Sequence, residues 1–249
     1  MTGTVRIAMW SGPRNISTAM MRAFENRPDC AVSDEPFYGC YLSRSGSNHP
    51  MRDEIMADMD CDYASVAGAL NGPVPGGASI WYQKHMSHHM LPGDDLSWAD
   101  GMAQCFLIRR PEEMVASYAQ KRGNPAPEDF GLDRECEIFD RVADQSGVAP
   151  PVLDAADVLR NPQGMLTALC RRIGISFMPD MLSWPPGRRD SDGIWADHWY
   201  HAVAESTGFQ PYSPKSIDLS DDLQAVADQC RPAYERMATY RLQPIEGEV

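Results

Sequence analysis

The chain has 249 residues, 43% of them hydrophobic and 23% charged, a globular balance with enough apolar material for a sizeable core. Its 22 basic against 35 acidic side chains leave a net charge of −13. That argues against a general binder of nucleic acid or anionic membrane, so any phosphate site has to be a local cluster of arginines in an acidic shell.

Residues 5–10 form a short apolar run, followed by Ser11-Gly12-Pro13-Arg14 and then by Ile16, Met20 and Phe24 at helical spacing. The order strand, glycine-containing loop, helix is how phosphate-binding α/β domains begin. A second strand is predicted at 30–33, one helix around 53–70 and a glycine- and proline-rich loop at 71–78. Strands follow at 79–83 and 104–108, the latter running straight into Arg109-Arg110-Pro111. Pro111 suits the first turn of a helix through Met114, Val115 and Tyr118. A weak strand at 152–153 precedes a helix opened by Asn161-Pro162 and stopped by Gly174, and two further helices are predicted near 195–206 and 219–240. Alternating strands and helices with short connections imply a three-layer α/β P-loop fold: a central, mainly parallel sheet flanked by helices, as a single domain over 1–249. Seven scattered cysteines without a Cys-x-x-Cys pair read as reduced thiols, and no run reaches the length of a membrane span or an apolar signal segment. The expectation is a soluble, cytoplasmic protein.

The loop carries the first chemistry. Backbone N–H groups at a helix N-terminus bind anions, Ser17 and Thr18 add hydroxyls, and Arg14 adds a cation that can hold two oxygens at once. The lysine and second glycine of GxxxxGK[ST] are missing. Arg109 leaves the end of a buried strand, where open α/β sheets bind ligands, and Ser117 lies two helical turns on. Asp34-Glu35-Pro36-Phe37-Tyr38 follows the second strand onto the same edge. Asp34, Glu35, Phe37 and Tyr38 are therefore expected to line a pocket for a cationic or polyhydroxyl small molecule. His85, with an ordinary pKa near ~6.5, suits general-base work, and Lys84 beside it belongs to a chain with three lysines against nineteen arginines. His88 and His89 read as surface or internally satisfied histidines, since no matching carboxylate or cysteine ligand suggests a metal.

Pro13-Arg14-Asn15-Ile16-Ser17-Thr18 resembles the 5′-phosphosulfate loop of the sulfotransferases that use 3′-phosphoadenosine 5′-phosphosulfate. Arg109-Arg110-Pro111 with Ser117 resembles their 3′-phosphate motif. The run His85-Met86-Ser87-His88-His89-Met90-Leu91-Pro92 is similar to the family's His-Leu-Pro-x-x-Leu-Leu-Pro, whose histidine is the base. Arg188-Arg189 with Gly193 and Trp195 looks like the segment that closes over the 3′-phosphate. Four differences stand out, one of them Asp190 in place of the glycine after Arg188-Arg189. Ile16 occupies a glycine position and Ala19 that of an adenine-stacking tryptophan. Lys84 directly precedes His85, so on a strand the two would face opposite ways.

The resemblance implies a metal-independent sulfotransferase acting on a small hydroxyl or amine acceptor. His85, Arg14 and Lys84 would be catalytic. The donor would be held by Gly12, Pro13, Arg14, Asn15, Ser17, Thr18, Arg109, Ser117, Arg188 and Arg189. Neither nucleic acid nor membrane is an expected partner, and a homodimer is left open. The alternatives are an ATP-dependent small-molecule kinase on a P-loop fold and a non-catalytic nucleotide-binding module.

Overall fold

The computed structural model describes residues 3–123, 125–214 and 216–245. Five strands, β1 (Val5–Ser11), β2 (Cys30–Asp34), β3 (Ile80–Met86), β4 (Ala103–Ile108) and β5 (Val152–Asp154), form one sheet in the order β2-β3-β1-β4-β5. Every pairing is parallel, with Val5 opposite Ile80, Ser11 opposite Met86 and Ile7 opposite Ala103. β1 lies at the centre, and the chain crosses it between β3 and β4. The C-terminal end of β1 is therefore the switch point at which such sheets leave a crevice.

Both faces of the sheet are covered, and the side chains divide by parity. Ala8 and Trp10 of β1, Phe106 and Ile108 of β4 and Trp81 of β3 join one core layer. It is closed by α5 (Pro111–Arg122), α6 (Leu132–Ser146) and α11 (Asp221–Ala238). Ile7 and Met9, Cys105 and Leu107, and Ile80 and Tyr82 join the other layer, against α1 (Ser17–Glu25), α7 (Ala155–Arg160) and α8 (Pro162–Arg172). A third apolar cluster gathers Tyr38, Tyr41, Leu42, Ile55, Trp195, Ala196 and Tyr200. It lies beyond the strand ends and includes α2 (Tyr38–Ser45) and α3 (Arg52–Asp58).

Several elements depart from the sequence reading. The helix expected over 53–70 is two, α3 and α4 (Tyr63–Leu70). Met59 turns extended between them, and Asp62 caps α4 by accepting the Ser65 N–H at 2.7 Å. The helix expected over 195–206 is two single turns, α9 (Ala196–Trp199) and α10 (His201–Ala204). Helix α6 was not anticipated, because fully buried Glu135 interrupts its stripe of Leu132, Ile138 and Phe139. β3 runs three residues further than expected and so takes in Lys84, His85 and Met86.

Two glycines fix the approach of α6 to the strand ends. A Cβ on Gly12 would lie 2.3 Å from the Phe130 carbonyl oxygen, and one on Gly131, at φ 61°, would lie 2.7 Å from the His88 nitrogen. All seven cysteines are free. Among the described residues, no helix is long and apolar enough to cross a membrane.

Candidate functional site

A cavity of about 530 Å³ opens at the C-terminal edge of the sheet. Part of its wall is the loop after β1. Pro13, Arg14, Asn15, Ile16, Ser17 and Thr18 all line it, while buried Asn15 anchors the loop by donating to the Leu107 carbonyl at 2.8 Å. Arg14 and Ile16 both hold left-handed backbone, at φ 63° and 55°. Ile16 thus takes up the conformation that glycine would adopt freely, and no side chain caps the start of α1. The first N–H groups of that helix are left for another partner.

Arg109 and Ser117 join Arg14 on this wall. Arg109 donates from Nη1 to the Arg14 carbonyl at 2.8 Å across 95 residues of sequence, and Arg14 donates from Nε to the Ser117 hydroxyl at 3.0 Å. Arg109 is paired with Glu113 at 2.9 Å, whereas Arg14 has no carboxylate within ion-pair distance among the described residues. Burial, and then the neighbouring Arg109 charge, pull the Arg14 guanidinium below its ordinary pKa. Two cations with one paired carboxylate leave this part of the wall with an excess of positive charge.

The adjoining part of the wall is a buried polar cluster. Lys84 Nζ donates to Asp34 Oδ1 at 2.8 Å, to Glu35 Oε1 at 2.7 Å and to the Tyr200 hydroxyl at 2.5 Å. The two carboxylates hold the Lys84 ammonium well above its usual range despite complete burial. Burial pushes the Glu35 carboxyl up, against the pull of Lys84. Glu35 is also a left-handed residue, at φ 45°. Three of the four non-glycine residues with positive φ among those described, Arg14, Ile16 and Glu35, therefore line one cavity, and strain of this kind concentrates where geometry serves a site. Glu35, Tyr38, Lys84, Met86, His88, His89, Trp199 and Tyr200 face it together.

Other expected site residues lie elsewhere. His85 is 1% exposed and does not line the cavity. Strand parity turns it into the Trp81 layer, where its ring stacks on Trp10 at 4.8 Å and lies 5.2 Å from Trp98. Burial drives its pKa down to about 3, and its Nε2 lies 3.3 Å from Gln83 Oε1. It is a core residue, and the structure does not bring it to the cavity where the base was expected. Phe37 packs against Tyr63 and Trp98 in the same core. Asp34 and Gly12 sit behind the wall, one bound to Lys84 and Tyr200, the other against Phe130.

Arg188 and Arg189 are not brought to the Arg14 wall. Arg188 pairs with Asp197 beside a second cavity of about 340 Å³, and Arg189 donates its backbone N–H to Asp192 and its side chain to the Pro185 carbonyl. Sequence reasoning missed the segment from Trp199 to Gln210 as part of the site, although it supplies much of the cavity rim. The sequence marks a helix near 195–206 but carries no signal that turns this segment toward the cavity.

Residues 5–240 match the model of the Sulfotransferase domain. The chain is 32% identical over 231 residues to "Branched-chain-amino-acid aminotransferase-like protein 2" of Arabidopsis thaliana, covering 92% of this chain and 40% of that protein. It is 36% identical over 210 residues to the corresponding protein 1 of the same plant, covering 84% and 37%. The chain thus spans about two fifths of the length of these relatives. Among solved structures it resembles a sulfotransferase from Alicyclobacillus acidocaldarius (TM-score 0.58, 12% identity, 97% and 98% covered). It also resembles the sulfotransferase domain from the curacin biosynthetic pathway (TM-score 0.50, 14% identity, 98% and 100% covered). At these identities the likeness is one of fold.

Proposed function

The chain belongs to the sulfotransferase domain family, and from that premise we propose that it moves a sulfuryl group from 3′-phosphoadenosine 5′-phosphosulfate to a hydroxyl or amine of a small molecule. The observation that carries this reading is the wall built by Arg14, Arg109 and Ser117 around the uncapped start of α1. Its donor set of guanidinium, hydroxyl and backbone N–H fits an adenosine bisphosphate, an anion at both ends. The donor supplies an activated sulfuryl group whose bridging oxygen leaves as phosphate.

Arg14 and the first N–H groups of α1 counter the charge that develops on that oxygen. Glu35, rather than His85, is the general base: it faces the cavity, and burial raises its affinity for a proton. As the acceptor O–H or N–H proton passes to Glu35, the oxygen or nitrogen forms its bond to sulfur and the sulfur–oxygen bridge to phosphate breaks. Lys84, spent on Asp34, Glu35 and Tyr200, is a positioning residue that holds Glu35 in place.

Calorimetry with 3′-phosphoadenosine 5′-phosphate and with ATP–Mg²⁺, alongside transfer of labelled sulfate, tests the reading. Metal-independent preference for the bisphosphate is expected, with Glu35→Gln keeping that affinity and losing about 10²–10⁴-fold in kcat. The acid limb of kcat/KM should lie above the ordinary carboxylate pKa of 4.5, with activity rising as pH increases through it. Preference for ATP–Mg²⁺ would instead support a kinase, and bisphosphate binding without transfer to any acceptor a non-catalytic module.

A further inference from the structure

Formal charge does not balance at the Glu35 end of the cavity. Asp34 and Glu35 face one ammonium, Lys84, so the cluster is one cation short. All three protons of that ammonium are spent on Asp34, Glu35 and Tyr200. Asp34 is further satisfied by the Tyr200 hydroxyl, 2.8 Å from Oδ2, and by the Gly193 N–H at 3.3 Å. Glu35 is less fully served: its Oε1 lies a longer 3.3 Å from the same Tyr200 hydroxyl, and its Oε2 faces His89 Nε2 at 3.9 Å, beyond hydrogen-bond reach.

His89, 2% exposed and lining the same wall, has no hydrogen-bond partner at Nδ1 among the described residues. Burial and then the surrounding histidines and Lys84 keep its ring neutral, so it does not supply the missing charge. With its proton on the nitrogen facing Glu35, Nδ1 presents a lone pair. That nitrogen is sealed from the cavity, so the unspent acceptor on the wall is Glu35 Oε2, which together with the excess negative charge calls for a ligand that donates a hydrogen bond and carries a cation.

The remaining wall is aromatic. Tyr38 stacks on His89 at 4.6 Å, and Trp199 packs into the cluster formed by Tyr38, Tyr41 and Tyr200. Resting on the sulfuryl-transfer reading above, we propose that the acceptor is a small molecule bearing a protonated amine beside the group that is sulfated. Glu35, His89 and the aromatic wall of Tyr38, Trp199 and Tyr200 select that cation, while Arg14 and Arg109 hold the anionic donor at the other end.

The test uses the full chain saturated with 3′-phosphoadenosine 5′-phosphate and titrated calorimetrically with isosteric pairs, 2-aminoethanol against 1-propanol and tyramine against 4-propylphenol. In at least one pair the amine should bind about tenfold or more tightly than its neutral twin. Glu35→Gln should erase most of that preference without changing bisphosphate affinity, and Glu35→Asp should retain it. Equal or tighter binding of the neutral member in both pairs overturns the proposal, as does a preference that survives Glu35→Gln. If the glutamine variant does not fold, the wild-type ratios decide. A chain that binds no bisphosphate is a separate outcome: it removes the transfer reading, and this assignment with it.

Discussion

Lys84 and His85 are neighbours in the chain, yet one faces the cavity and the other is sealed in the core. The alternation of a strand requires that separation, and the only question left open was which of the two would face the ligand edge. The register answers it. His85 has the parity of Trp81, whose layer holds Trp10, Phe37 and Phe106, so an imidazole there is a desolvated aromatic filler. His85→Phe should therefore leave kcat/KM within about twofold and cost less than about 1.5 kcal/mol of stability, as volume-conserving core changes do. Turnover assays and urea melts measure both. A loss of more than about 10²-fold in kcat with the fold intact would return His85 to the chemistry. Glu35 was legible as a pocket residue from its place after a strand. Its pairing with Lys84 and Tyr200 was not, since Tyr200 lies 165 residues away.

The strand–loop–α1 unit and the β4–α5 junction were both readable, because each combines an apolar strand with a local start signal: a glycine-containing loop in one case, Pro111 in the other. Arg109 couples the two elements. Its side chain holds the Arg14 carbonyl in a left-handed turn and leans on Glu113, whose other oxygen accepts from Tyr212 at 2.9 Å. Arg109→Ala is expected to weaken 3′-phosphoadenosine 5′-phosphate by about 1.5–3 kcal/mol, the worth of one charge-assisted contact. Arg109→Lys should recover part of that loss, a point charge lacking the bidentate fork. Calorimetric affinities unchanged in both variants would remove Arg109 from the donor wall. The turns α9 and α10 were the opposite case. The sequence reads them as one helix, and their break into two turns and their position over the cavity depend on Tyr200 reaching Asp34 and Lys84.

Across the molecule, two helical layers bury a parallel sheet so fully that a carboxyl group is trapped beneath the loop after β1. Glu135 is fully buried without a cationic partner among the described residues, and burial pushes its pKa well above 4.5 against the weaker pull of the Gly12 and Leu107 backbone. The folded state then keeps a proton that the unfolded chain releases. This contribution to stability is whole below about pH 4.5 and falls by about 1.4 kcal/mol per pH unit until the folded pKa is reached. Glu135→Gln should gain on the wild type in urea denaturation as pH rises from 5 to 7, and parallel curves would show that Glu135 ionises without cost. The sequence by itself determined the α/β class, the phosphate-type loop and the candidate anion ligands Arg14, Arg109 and Ser117, because strand parity, helix starts and permanent charge are local properties of the chain. Only the tertiary structure decided that Lys84 rather than His85 meets the cavity, that Arg188 and Arg189 stand apart, and that Tyr200 closes the carboxylate cluster. Those outcomes turn on register and on contacts between distant segments, for which adjacent residues carry no signal.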